Sequence, residues 1–137
     1  MAYKYFEHEA DVGIIGLGTT LAKAFEEAAK AVFNTEVEIK TVKPKQKIYI
    51  ECSAENEEEL FIEWINKLLA EADINDVVFS KFKIESMKNF RIKAYAFGEK
   101  LDQKKHKIKT EVKGATYSML EIGKKNKHYF AKCVIDV

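Results

Sequence analysis

Two stretches of the chain repeat their apolar residues at helical spacing, and much of the rest alternates as a strand does. Leu21, Phe25, Ala28, Ala29 and Val32 fall on one apolar stripe, with Lys23, Glu26, Glu27 and Lys30 on the opposite side. Thr19 or Thr20 supplies a hydroxyl N-cap just before them, so the spacing predicts a helix that covers a sheet. A second helix starts at Asn56, a capping side chain followed by Glu57, Glu58 and Glu59, acids that suit the positive end of a helix dipole. Its apolar face carries Leu60, Phe61, Trp64, Ile65, Leu68 and Leu69 and runs out near Asp73. Trp64, at helical spacing among leucines, reads as core rather than as a ligand platform.

Tyr3 to Glu9 reads as a strand by its aromatic content, and Val12 to Leu17 as a second extended run meeting a glycine-rich turn at Gly16-Leu17-Gly18. Lys40 to Lys47 is a polar connector holding Pro44. Lys47 to Ser53 then alternates, with Ile48, Ile50 and Cys52 on one face. Val78 to Met87 and Phe90 to Gly98 read as a hairpin turning at Lys88-Asn89. There Phe82 and Ile84 alternate with Lys81, Lys83 and Glu85, and the lysines read as solvated edge charge that discourages aggregation. Leu101 to Lys107 is a polar loop. Tyr117 to Ile122 and His128 to Val137 form a last hairpin around Gly123-Lys124-Lys125-Asn126. Strands around two helices, most of them after the second helix, point to the α+β class, two helices packed on mainly antiparallel β-sheet.

Length and composition narrow the function. A chain of 137 residues is most simply a single domain, 1–137, long enough to bury a core without staples. A net charge of +1 gives no overall field toward nucleic acid or membrane, so no direct nucleic-acid binding across a large surface is expected, while a local acidic or basic patch stays open. No apolar run approaches the roughly 20 residues that span a bilayer. Charges recur from Lys4 onward, so no secretory h-region is visible. Cys52 and Cys133 stand far apart in apparent strands, in no metal or redox spacing, and read as buried free thiols. The expectation is a cytoplasmic protein.

Candidate chemistry is sparse. The chain has no phosphate-binding Walker loop, dinucleotide fingerprint, HExxH or GxSxG, and its three histidines, His8, His106 and His128, are scattered as surface or strand-edge residues would be. The stretch Tyr5 to Ile15 does pack Glu7, His8, Glu9 and Asp11 between aromatic and aliphatic residues. Such groups are costly to bury and collect at caps, turns or sites. Asp11 before Val12-Gly13 looks like a carboxylate at a strand edge, where backbone can approach a ligand closely. The simpler account is the solvent face of an N-terminal strand. Asp136 in Val134-Ile135-Asp136-Val137 is a poor strand former in an aliphatic run, and a fraying strand end accounts for it on the residues alone.

Three separated blocks carry a resemblance. Phe6-Glu7-His8-Glu9-Ala10-Asp11-Val12-Gly13-Ile14, Lys109-Thr110-Glu111-Val112-Lys113-Gly114-Ala115-Thr116-Tyr117 and Val134-Ile135-Asp136-Val137 together resemble the archease family, in family order and over essentially the whole chain. The chain departs from the family at Glu9, where Thr is common, at Asp102-Gln103, where Asp-Pro is common, and at Ser118, where His is common. Tyr129-Phe130 stands where a Trp often precedes the last strand.

The resemblance implies an α+β fold with a strand-helix-strand-strand core. It also implies an accessory factor, not itself an enzyme, for the RtcB-type RNA ligase of tRNA splicing and RNA repair. That ligase is guanylylated on a histidine with the help of divalent metal, and archeases promote its activation and multiple turnover. By position, Asp11, Asp136 and Val137 match the family's metal-binding site and Lys113 a lysine of its activating surface. An all-oxygen set suits Ca²⁺, Mg²⁺ or Mn²⁺ rather than structural zinc. Two other classes stay open. One is a stand-alone metal-dependent hydrolase with His8 and Asp11 as ligand and base; the other is a non-catalytic ligand-binding module.

Overall fold

Both helices begin where capping chemistry is available. In the computed structural model, which describes residues 1–137, Thr20 Oγ1 accepts the Lys23 N–H at 3.1 Å and starts α1, Leu21–Glu36. Asn56 Oδ1 accepts the Glu59 N–H at 2.8 Å and starts α2, Glu57–Asn75, which ends on Asp76 in the left-handed region with φ 54°. The strands are β1 Ala2–His8, β2 Asp11–Gly18, β3 Gln46–Ser53, β4 Val77–Lys88 and β5 Arg91–Lys100, then β6 Gly114–Ala115, β7 Glu121–Lys125 and β8 His128–Asp136.

They make two antiparallel sheets. One runs β1-β2-β8, with β6 and β7 sharing the far edge of β8; the other runs β3-β5-β4. Helix α1 packs on β2 and β8 and also on β4, so it ties the sheets together, while α2 lies against β3. One cluster of 31 buried residues fills the space between. Trp64 is fully buried there, its Nε1–H donating to the Phe25 carbonyl at 3.0 Å, which gives the indole its one required partner. Phe25 meets Phe61 at 4.9 Å between ring centroids, and Phe33 meets Phe79 at 5.5 Å. Burying each such ring stabilises the fold by roughly 1.5–3 kcal/mol.

Several expectations change. Gly16 and Gly18 lie inside β2, not in a turn, and neither has positive φ. A side chain at Gly16 would collide with the Ala24 carbonyl, so the glycine is what lets α1 cross the strand at backbone contact. Glu26 and Glu27 are not on a solvated face but are 7% and 9% exposed. Helix α1 is covered on two sides. Glu26 Oε2 there accepts the Ile84 N–H at 2.8 Å, and Glu27 pairs with Lys30 at 2.8 Å. Because β4 is an edge strand, that amide had no partner within the sheet.

The last two hairpins are also shifted. Phe90 sits in the β4–β5 turn with Asn89, at φ 55° and 52°, and Lys88 pairs with Arg91. Tyr117 to Leu120 is an irregular segment; β7 begins at Glu121 and turns through Asn126 and Lys127, at φ 51° and 67°. His106 is 1% exposed rather than at the surface. Its Nδ1 accepts the Asp102 N–H at 3.0 Å and its Nε2 lies 3.0 Å from Glu99, so it locks the 101–107 loop onto β5. Cys133 is a buried free thiol as expected, whereas Cys52 is only half-buried.

Candidate functional site

The first and last β-structure of the chain meet at one corner of the five-stranded sheet. A two-residue turn, with Glu9 at φ 51°, joins β1 to β2 and pairs His8 with Asp11. The ring of Phe6 lies across Gly13, leaving no room for a side chain there. Val12 pairs with Ile135, so Asp11 at the start of β2 and Asp136 at the end of β8 stand at the same end of neighbouring strands. The Val137 N–H donates to Asp11 Oδ1 at 3.4 Å. From the other edge of β8, Gly114 pairs with Asp136, and the Lys113 N–H donates to the Asp136 carbonyl at 2.7 Å. Thr116 donates from both its amide, at 2.9 Å, and its hydroxyl, at 2.8 Å, to the Val134 carbonyl. The structure therefore brings Asp11, Lys113, Asp136 and Val137 together, with Lys113 and Asp136 exposed and Asp11 half-buried.

Two residues that sequence reasoning passed over hold the Lys113 segment in place. Asn66 Oδ1 on α2 accepts the Ala115 N–H at 2.9 Å, and Glu36 Oε2 at the end of α1 accepts the Val112 N–H at 3.1 Å. Burial pushes the Glu36 carboxyl up to about 7, and the nearby Asp73 and Glu111 charges add to this against the Val112 hydrogen bond. The signal for Glu36 was available: an acid as the last residue of a helix opposes the dipole, and no basic residue stands in that turn to offset it.

His8 is half-buried opposite Asp11, and its Nδ1 is buried with no hydrogen-bond partner. His128 is exposed, with Nδ1 3.1 Å from the Asn126 carbonyl, and lies in the far turn of the sheet. No three His, Cys, Asp or Glu side chains converge closely enough to hold a metal ion. The oxygen donors of Asp11, Asp136 and Val137 fit a hard divalent cation that draws its other ligands from main chain, water or a partner. They do not fit structural zinc, which takes four protein ligands, mostly sulfur or nitrogen.

Fold and corner together define a small α+β protein that presents two aspartates and one lysine where its chain end meets its first hairpin. Residues 3–137 match the model of the Archease protein family (MTH1598/TM1083). The chain is 37% identical over 136 residues to protein archease of Sulfurisphaera tokodaii, covering 98% of each. It is 38% identical over 125 residues to protein archease of Pyrococcus abyssi, covering 89% of this chain and 88% of that one. The solution structure of Methanobacterium thermoautotrophicum protein 1598 matches at a TM-score of 0.85 and 28% identity, over 99% of both chains. A Thermotoga maritima crystal structure described as an archease, possible chaperone, shares the fold at a TM-score of 0.64 and 20% identity, over 98% of this chain and 96% of that one. The chain belongs to the archease family.

Proposed function

We propose that this protein is a cytoplasmic accessory factor, not itself a catalyst, that activates an RtcB-type RNA ligase in tRNA splicing and RNA repair. The observation that carries the reading is the convergence of Asp11, Lys113, Asp136 and Val137, from three distant stretches, at one accessible corner. Family membership supports a role beside a partner protein, and the Thermotoga maritima relative is described as a possible chaperone.

In this reading the corner enters the ligase active site. Asp11 and Asp136, with a Val137 oxygen, would hold a divalent cation, Ca²⁺, Mg²⁺ or Mn²⁺, which supplies charge neutralisation for guanylyl transfer to the ligase. Lys113 would offer a flexible point charge to a phosphate of the nucleotide. The Glu36 and Asn66 hydrogen bonds keep that lysine's segment in register with Asp136.

The alternative is a stand-alone metal-dependent hydrolase, and one observation favours it: His8 faces Asp11 with an unpaired ring nitrogen. One experiment separates the two. The purified protein is incubated with RNA alone, then added in substoichiometric amount to its ligase with GTP and metal. The proposal expects no cleavage or joining alone, and faster guanylylation and multiple turnover with the ligase. Hydrolysis by the protein alone that is lost in His8→Ala would establish the alternative.

A further inference from the structure

The outer face of the three-stranded sheet, away from the corner just described, carries an arrangement that edge protection does not explain. Cross-strand pairing lays its side chains out in rows. Phe97 on the central strand β5 stands between Lys47 and Lys81, and Tyr95 stands between Tyr49 and Lys83. In the next rows Lys93 stands between Glu51 and Ser86, and Arg91 between Ser53 and Lys88. The opposite face of the same strands holds Ile50, Ile92, Ala94 and Ala96, all fully buried.

Lysines on β3 and β4 can be read as protection of sheet edges. That reading does not reach Lys93 and Arg91, which lie on the central strand, nor three aromatic rings on a solvated face. Tyr49 is 48% exposed and meets Tyr95 edge to face at 5.5 Å. Lys47 Nζ lies 4.3 Å from the Tyr95 ring centroid, and Lys81 Nζ lies 5.2 Å from that of Phe97. Apart from Glu99, which is buried under the 101–107 loop at the end of β5, the face holds six cations against two acids, Glu51 and Glu85, on a chain whose total is only +1. The near-neutral total thus averages a basic face with an acidic remainder.

We propose that this face binds single-stranded polynucleotide, with bases stacked on Tyr49, Tyr95 and Phe97 and the lysines on phosphates. An aromatic ring accepts any base, and a flanking cation tracks the backbone, which is the chemistry of sequence-tolerant single-strand recognition. Lys47 and Lys81 already lie over the rings. A base that takes the ring face would send each ammonium to the neighbouring phosphate. The proposal does not depend on the ligase reading.

The test is fluorescence anisotropy with labelled oligouridylate and oligothymidylate of about a dozen nucleotides, within the known range of single-strand site sizes. Titrations run at about 50 mM and about 200 mM salt, where phosphate contacts separate from stacking. The wild-type chain should bind both oligomers, more tightly at low salt and more tightly than a duplex of the same length. Tyr49→Ala, at an exposed ring, should weaken binding at least about fivefold, the low end of one lost stack. Lys83→Glu should weaken it further at low salt, and Lys4→Ala, at an exposed lysine on β1 of the other sheet, should leave it unchanged. Thermal midpoints of the three variants check that each is folded. No binding at low salt, or binding that ignores Tyr49→Ala and Lys83→Glu, would overturn the proposal. So would equal binding of polyglutamate that ignores Tyr49→Ala, which would make the face a dock for an acidic protein.

Discussion

The main-chain N–H of Val137 reaches Oδ1 of Asp11 at 3.4 Å, closing the end of β8 onto the start of β2 across 126 positions. An asparagine at position 11 would keep an acceptor for that bond and lose only the charge, so Asp11→Asn separates charge from fold. Asp136 is exposed, and its main chain, not its carboxylate, makes the bonds to Lys113 and Gly114. Calorimetric titration of Ca²⁺, Mg²⁺ and Mn²⁺ should show binding to the wild-type chain. Asp11→Asn and Asp136→Asn should each weaken it at least about tenfold, since even groups that only orient metal ligands are worth about 10–100-fold. Saturating cation should also raise the thermal midpoint of the wild-type chain by mass action. Identical isotherms for wild type and Asp136→Asn would leave Asp136 a frayed strand end.

Lys113 offers the second check. Its amide is bound to Asp136 and its side chain is exposed, so truncation removes a charge without removing a contact that holds the segment. Lys113→Ala should change stability by no more than about 0.5 kcal/mol, the usual range for a surface substitution. Ligase activation should fall at least about tenfold, as for a charge on a transferring phosphoryl group. Asn66→Ala loosens Ala115 from α2 and should reduce activation while Lys113 is still present. Full activation by Lys113→Ala would return that lysine to ordinary solvated surface.

Much of the fold was legible because periodicity reports burial directly. Both helix starts, at Thr19 or Thr20 and at Asn56, and the core face around Trp64 follow from local chemistry, and the structure chooses Thr20. What was not legible depends on neighbours distant in sequence. Glu26 reads as a solvent residue until the free edge of β4 arrives beside it, and His106 reads as loop until Glu99 closes over it. Gly16 and Gly18 read as a turn because the sequence does not say that a helix will cross them. At the corner, Asp11 and Asp136 stood out as residues, but only the β2–β8 register brings them side by side. The family resemblance, not periodicity, singled out Lys113.

Glu36 makes the Val112 tie sensitive to pH. Its folded value of about 7 lies above the usual 4.5, so the folded state holds the proton more tightly than the unfolded chain does. The stability this group contributes is present in full below about 4.5 and is lost as pH rises through about 7. Above that, an ionised, half-buried Glu36 opposes folding by on the order of 2 kcal/mol, after allowing for its partial exposure. Glu36→Gln keeps the acceptor for Val112 and cannot ionise. Urea unfolding at pH 5 and pH 8 should show the wild-type chain losing stability between the two and Glu36→Gln losing less. Equal losses in both would remove Glu36 as the source.

Glu99 acts in the opposite direction. Although 7% exposed, its carboxylate takes Lys105 Nζ at 2.7 and 2.9 Å, the Lys43 N–H at 2.8 Å and His106 Nε2 at 3.0 Å. Burial alone would raise its proton affinity, but the bonds from Lys105, the Lys43 amide and His106 together outweigh it and hold the carboxyl down at about 2. A lowered folded value means the stability it contributes is complete above the unfolded value of 4.5 and is lost as pH falls from there toward 2. Glu99→Gln should therefore cost on the order of 2 kcal/mol near neutral pH, the scale of a charge-assisted hydrogen bond left unmade. It should also free the 101–107 loop, with faster hydrogen exchange at the Lys43 and Asp102 amides. Acid titration of the two proteins gives the sharper contrast. The wild-type chain should lose stability steeply between about pH 4.5 and pH 2, and Glu99→Gln should lose it on a shallower slope, so that the two curves converge in acid. Parallel curves would mean that the pairing seen around Glu99 contributes nothing that depends on its charge.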